Sequence, residues 1–489
     1  MEDFRVLVGS TAGALVSKSA SSTDVVVIGG GPAGSTVASF LARQGWGVTV
    51  FERAVFPRDH VGESLLPFCY EIFDELGVLE EMERRYSRKP GVRFLDTDGE
   101  TSTSYCFGNK VKGPKHLSFH VLRADFDELL LDHSVEEGAI VHEGVTVRGV
   151  DTDGPGGRVS VTVEDSAGDR STIECRFVID ASGRDTFLAN RRKSKTAHKD
   201  LERTALGSHW SGATYTGGLE EGMIQIVYTG GEKQGWIWVI PIGSDRLSIG
   251  SVMNTAYYLD RRRALVDEFP DDWQQQLYVQ EIRSAVFVEE ILRDAEQMVP
   301  VLYNGDYSYF CNEKWGDNFA LVGDASAFID PIFSSGVYLA MQSGRHLARA
   351  VDHRLRDGIE ASTPTFTDTY DKIVGAYELV DKLIRVFYTP DALNFAQFGS
   401  ASATFTEHEH YENAMSFQHF LLAGDFFEEA GKYSAFVDTM TDPRRFDQYK
   451  NLVIDREEFQ VERTCGVPFD TAYPEGLREM EKVWLARGI

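Results

Sequence analysis

Asp24-Val25-Val26-Val27-Ile28-Gly29-Gly30-Gly31-Pro32-Ala33-Gly34 is the stretch on which the fold turns. Val25 to Ile28 has no polar alternation, as in a central parallel strand covered on both faces, and it runs straight into glycines. From Pro32 to Arg43 the small residues Ala33, Gly34 and Ala38, with Val37 and Leu41, give a helix able to lie close against that strand. Gly45 and Gly47 end the helix, and Val48 to Phe51 form a second strand, which completes a β-α-β unit. Gly29, Gly31 and Gly34 spell G-x-G-x-x-G between strand and helix. Gly29 permits the turn, Gly31 lets backbone approach a pyrophosphate, and Gly34 allows close helix packing. Glu52, about 20 residues on, can accept hydrogen bonds from ribose hydroxyls, with Arg53 beside it. A bound dinucleotide is expected, the alternative being a tight glycine turn with no ligand.

Farther along, Ala124 to Glu137 reads as an amphipathic helix, and Val145 to Val150, Val159 to Val163 and Thr172 to Ile179 as strands of a meander. Ile224 to Thr229, Gly235 to Pro241 and Arg246 to Val252 continue in strand patterns, so a second, mostly antiparallel sheet is expected. Asn318 to Gly323 returns to the buried-strand pattern before a helix from Val337 to His353, which makes the nucleotide fold discontinuous. Beyond residue 360 helical spacing dominates, with Val380, Leu383, Ile384, Phe387 and Tyr388 on one face. The class is α/β: a flexible lead over 1–23, a discontinuous Rossmann-like dinucleotide-binding domain over 24–200 and 300–355, an antiparallel β-sheet domain over 201–299, and a C-terminal helical region over 356–489.

The formal charge of −27, from 76 acidic and 49 basic side chains, opposes approach to nucleic acid or an anionic membrane. Five scattered cysteines, never in C-x-x-C spacing, suit a reduced, cytoplasmic protein. Glu2 and Asp3 stand where a signal peptide wants basic charge, and no apolar run approaches the ~20 residues of a membrane span. His408 and His410 lack further ligands at recognisable spacing, so no metal site is expected. Phe387, Tyr388, Phe395, Phe398 and Phe405 are read chiefly as core, with a substrate-lining role as the alternative.

Ala320 to Asp324 resembles the second FAD fingerprint of the flavin monooxygenase superfamily, whose aspartate, here Asp324, holds the ribityl chain. Arg123 resembles the family arginine near the FAD phosphates or adenosine, the alternative being a surface charge at a helix start. Phe56 to Pro67, with Gly62, Glu63 and Ser64, is similar to the segment that covers the flavin in flavin-dependent halogenases. Gly235-Trp236-Ile237-Trp238-Val239-Ile240-Pro241 contains W-x-W-x-I-P, which resembles the signature separating halogenases from hydroxylases. Trp236 and Trp238 share one strand face and would form a wall between substrate and flavin; two core aromatics are the alternative. Phe328 to Gly336 matches F-x-x-P-x-x-S-x-G, and amides near Ser335 and Gly336 would converge on a halide at the helix start. Lys89 stands where these halogenases carry their active-site lysine, which holds hypohalous acid as an N–H donor or as a haloamine; a solvated surface lysine is the alternative.

The resemblance therefore implies a halogenase using reduced FAD from a separate reductase, dioxygen, and chloride or bromide. Hypohalous acid would pass the tryptophans to Lys89 and reach an electron-rich ring. Tryptophan halogenases carry P-L-E-S-T-G where this chain has Phe333, so the resemblance is to the phenol, pyrrole or carrier-tethered branch. Two alternatives remain: an FAD hydroxylase or related reductase on the same fold, and a non-catalytic flavin-binding or carrier-interacting protein.

Overall fold

In the computed structural model, residues 22–305, 308–389, 395–396, 418–441 and 464–489 are described. The opening stretch forms a fully buried strand, Val25–Ile28, then the helix Pro32–Arg43 and the strand Val48–Glu52. They belong to a five-stranded parallel sheet ordered Phe319–Leu321, Phe177–Asp180, Val25–Ile28, Val48–Glu52 and Ile140–Glu143. Its edge strand Phe319–Leu321 comes from far downstream, so the nucleotide fold is discontinuous.

Thr172 to Ile179, read from sequence as one strand, is two. Arg170–Cys175 closes a three-stranded antiparallel meander with Val159–Glu164 and Thr146–Asp151, whereas Phe177–Asp180 lies parallel to Val25–Ile28 in the nucleotide sheet. The chain switches sheets at Arg176, whose N–H donates to the Asp24 carbonyl at 2.9 Å and whose guanidinium donates to the Leu355 carbonyl at 2.6 Å.

The larger sheet has eight strands, and Gly235–Gly243 runs through its middle between Ile224–Thr229 and Arg246–Asn254. Every residue of Gly235–Gly243 is buried, and alternation sorts them. Trp236, Trp238, Ile240 and Ile242 face the main core, while Ile237 and Val239 face a second one with Leu206, Leu247 and Ile249. That second face is covered by the helices Thr255–Glu268, Trp273–Arg283 and Val286–Ile291, which the strand-dominated sequence reading of this region omitted. Gly91–Leu95 joins the sheet parallel to Ile224–Thr229 and brings Ser102–Cys106 with it, although both precede residue 200.

The helix expected from Val337 runs Gly336–Tyr388, broken at Gly358 where φ is 85°. Val380, Leu383, Ile384 and Phe387 are buried as their spacing indicated. The helix Glu475–Arg487 packs back beside the helices Leu79–Arg85 and Arg123–Glu136: Trp484 stacks on Tyr86 with centroids 6.3 Å apart, and Arg487 pairs with Glu128 at 2.8 Å. Reduced cysteines throughout were expected, yet Cys106 and Cys465 form a disulfide with Cα atoms 5.3 Å apart. The fold brings together residues 359 apart in sequence, which no spacing rule registers. Among the described residues no helix is long and apolar enough to cross a membrane and no group of three or more His, Cys, Asp or Glu could hold a metal; His408, His410, Phe398 and Phe405 lie outside them.

Candidate active site

A cavity of about 750 Å³ lies between the parallel sheet and the large sheet. Gly29, Gly31, Glu52 and Arg53 line the end at the parallel sheet and Trp236 and Trp238 the end at the large sheet, with Gly62, Glu63, Ser64, Arg123, Asp324 and Gly336 completing the wall. The residues singled out from sequence are thus largely brought together. Gly34, Ser335 and Lys89 are not on its wall.

At the nucleotide end the glycines are sterically required. A Cβ on Gly29, whose φ is 100°, would lie 2.4 Å from the Ala181 carbonyl oxygen, and one on Gly34 would lie 2.0 Å from the Gly29 carbonyl oxygen. A Cβ on Gly31 would meet only Arg58 Nη2, at 3.4 Å, so open space lies over the turn where a pyrophosphate would sit. Glu52 holds the turn by accepting from Gly30 N and Ala54 N, each at 2.8 Å.

Arg58 was quoted from sequence only as part of a segment. It borders the cavity, pairs with Asp127 at 3.1 Å, and its buried Nη1 finds no partner among the described residues, as suits a phosphate ligand. Arg123 is not a surface charge: it is 4% exposed, pairs with Asp127 through Nε and Nη2 at 2.7 and 2.8 Å, and donates to the Val61 carbonyl at 2.6 Å. Arg53 instead pairs with Asp185 at 2.5 Å at the open rim. Arg58 Nη1, without a partner among the described residues, together with the uncovered Gly31 and the cavity, fits a dinucleotide such as FAD. Gly34→Ala is expected to weaken FAD binding at least about tenfold, because a backbone oxygen blocks the new methyl. Parental affinity in a fluorescence titration would contradict this.

At the other end Trp236 and Trp238 stand side by side, centroids 5.8 Å apart. Trp238 lies flat across neighbouring strands: a Cβ on Gly250 would approach its ring to 2.1 Å and one on Gly207 to 2.7 Å. Trp238 Nε1 donates to Ser248 Oγ at 3.1 Å. Trp236 Nε1 donates to Tyr388 Oη at 3.0 Å, and Tyr388 donates to Asp330 Oδ2 at 2.8 Å, tying the wall to the segment before the long helix. Burial pushes the Asp330 and Asp324 carboxyls up, each to about 6. Ser334, in left-handed conformation with φ 56°, and Gly336 border the cavity, whereas the Ser335 side chain is turned inward and 1% exposed. The helix starts here, so the Gly336 and Val337 N–H groups have no intrahelical acceptor.

Glu63 anchors the loop that carries Gly62 and Ser64 to the large sheet. Its carboxylate accepts from His209 Nε2 at 2.7 Å, and Arg246 donates to His209 Nδ1 at 3.0 Å. Burial opposes ionisation, but His209, Ser248 and Arg246 together hold Glu63 below the usual carboxylate range. Ser248 thus connects Glu63 to Trp238.

Lys89 ends the short strand Ser87–Lys89, which pairs with Ser118–His120, and Ser87 Oγ donates to the Pro241 carbonyl at 2.7 Å, docking the strand on the tryptophan strand. Lys89 is 2% exposed, and its amine, 5.7 Å from the Phe107 centroid, makes no ion pair among the described residues. Burial lowers its pKa to about 7. The unfolded chain, with a lysine near 10.4, therefore binds more protons between about pH 7 and pH 10, so Lys89's contribution to stability is complete above that window and lost as pH falls through about 7. Lys89→Met is expected to raise Tm at about pH 6 and to raise it much less at about pH 10. Equal shifts at both values would show that the amine is not desolvated.

Residues 22–374 match the FAD binding domain family. A tryptophan 2-halogenase of Chondromyces crocatus is 36% identical over 348 residues, covering 71% of this chain and 64% of that protein. A 1H-pyrrole-2-carbonyl-[peptidyl-carrier protein] chlorinase of Pseudomonas fluorescens is 33% identical over 343 residues, covering 66% of this chain and 74% of its own. The chain spans roughly two thirds of the length of the curated relatives it matches. Among solved structures, CmlS, a flavin-dependent halogenase, superposes with a TM-score of 0.69 at 28% identity over 95% of this chain and 77% of that one.

Proposed function

Because the chain belongs to the flavin-dependent halogenases and carries their FAD binding domain, we propose that it halogenates an electron-rich aromatic molecule by way of hypohalous acid and Lys89. Reduced FAD, supplied by a separate reductase, provides with dioxygen the two-electron oxidant. The N–H groups of Gly336 and Val337 hold chloride or bromide at the start of the long helix. Trp236 and Trp238 keep the organic substrate off the flavin. A Lys89 pKa of about 7 leaves much of the amine neutral, so its lone pair takes the halogen: the amine and hypohalous acid give a haloamine and water. The reading rests above all on this enclosed amine beside the tryptophan strand, which makes no ion pair among the described residues.

Phe333, packed 5.7 Å from Phe395 and 6.2 Å from Phe387, puts an aromatic ring where a pocket glutamate would stand. A phenol or pyrrole, free or carrier-tethered, needs no such carboxylate to lose its ring proton. We place the reaction in the cytoplasm, where a reductase can hand over reduced flavin. The test is incubation with a flavin reductase, bromide and a panel of phenols and pyrroles, read by bromine isotope pattern. Bromide-dependent brominated product is expected; oxygenated product formed without halide would make the chain a hydroxylase.

A further inference from the structure

Lys89 does not border the flavin cavity, so the oxidant must be received between the two. Backbone pairing shows where. Ser87 is opposite His120 and Lys89 opposite Ser118, while Ser64 bridges to His120 from the other side. Directly paired and alternate residues share a face of a sheet, so Ser64, His120, Ser118 and Lys89 lie on one face, running from the cavity wall to the amine.

Three of these side chains each bury a polar atom that has no partner among the described residues. Ser64 Oγ, Ser118 Oγ and His120 Nδ1 make no hydrogen bond among the described residues, although the residues are 6%, 1% and 0% exposed. Three unmet polar atoms in a row are costly unless something polar visits them. His120 is also fixed in tautomer. Its Nε2 lies 2.8 Å from the Gly222 carbonyl oxygen, which can only accept, so Nε2 carries the proton and Nδ1 presents a lone pair. Gly222 is itself locked: a Cβ there would lie 2.1 Å from the Arg88 carbonyl oxygen.

We propose that Ser64, Ser118 and His120 form a binding site for hypohalous acid beside Lys89, with the acid's O–H donating to His120 Nδ1 and its halogen turned toward the lysine amine. The proposal rests on the halogenase reading and adds the group that orients the oxidant. In the step it serves, the Lys89 nitrogen forms a bond to halogen, the halogen–oxygen bond breaks, and the departing hydroxide takes one amine proton to become water. The acid supplies the oxidising equivalent, and no further reactant is needed.

Two substitutions separate this role from a structural one. His120→Gln keeps a donor for the Gly222 carbonyl but removes the acceptor at Nδ1, whereas His120→Asn restores an acceptor near Nδ1 and gives up the Gly222 bond. Each is assayed with FAD, a flavin reductase, bromide and a phenol, measuring brominated phenol per dioxygen consumed and free hypobromous acid caught by a soluble trap. Expected for His120→Gln is about a tenfold fall in coupling, the worth of one hydrogen bond, with the lost oxidant appearing in the trap and FAD affinity unchanged. His120→Asn is expected to keep the larger share of coupling. Parental coupling in His120→Gln, or His120→Gln outperforming His120→Asn, would overturn the site. A parental protein that makes no brominated phenol would overturn the halogenase reading itself.

Discussion

Lys89→Met is expected to lower halogenation of an activated phenol by about 10³-fold or more while FAD affinity and dioxygen consumption stay at parental levels. Methionine keeps the length of the side chain and suits surroundings made by Phe107 and the buried Cys69, so packing survives while the amine proposed to carry halogen is lost. Lys89 is not on the cavity wall, so nothing that binds flavin is disturbed. Rates come from quantifying brominated phenol by mass spectrometry alongside an oxygen electrode. Halogenation at the parental rate would remove Lys89 from the chemistry.

Replacing Trp236 and Trp238 together by leucine carries the second large effect. Trp238 fills a slot cut by Gly207 and Gly250, and Trp236 reaches Asp330 through Tyr388. Replacing two buried indoles by leucine costs less than the roughly 3–5 kcal/mol each of truncation to alanine, and the opened space joins flavin to substrate. Halogenated phenol per dioxygen consumed is expected to fall about 100-fold, with peroxide and oxygenated product rising, in protein shown by calorimetry to remain folded. Unchanged partition between halogenated and oxygenated product would reduce the tryptophans to core packing.

Much of the cavity was legible because its signals are local. The glycine turn, Glu52 and the W-x-W face depend on neighbours within one strand and helix, and period-two alternation alone separates Trp236 and Trp238 from Ile237. What escaped depends on distant pairing. Glu63 meets His209 146 residues away, and His120 meets Gly222 102 residues away. Thr172 to Ile179 read as one strand because no glycine or proline marks the change of sheet at Arg176. Thr255–Glu268 was overlooked since its charged run Arg261 to Arg263 weakens any apolar stripe, and its cover of the sheet is a tertiary fact. For the halide, the motif pointed to the amides near Ser335 and Gly336, but it carries no sign of the left-handed turn at Ser334 that puts Ser334 on the cavity wall.

The most direct measurement is a single turnover without acceptor. Protein loaded with reduced FAD is mixed with dioxygen and bromide, stripped of small molecules by rapid gel filtration, and only then given a phenol. Brominated phenol approaching one equivalent from the parental protein, and none from Lys89→Met, is the outcome that places the halogen on the lysine. Oxidising bromine found entirely in the small-molecule fraction, with none carried by the protein, would contradict it.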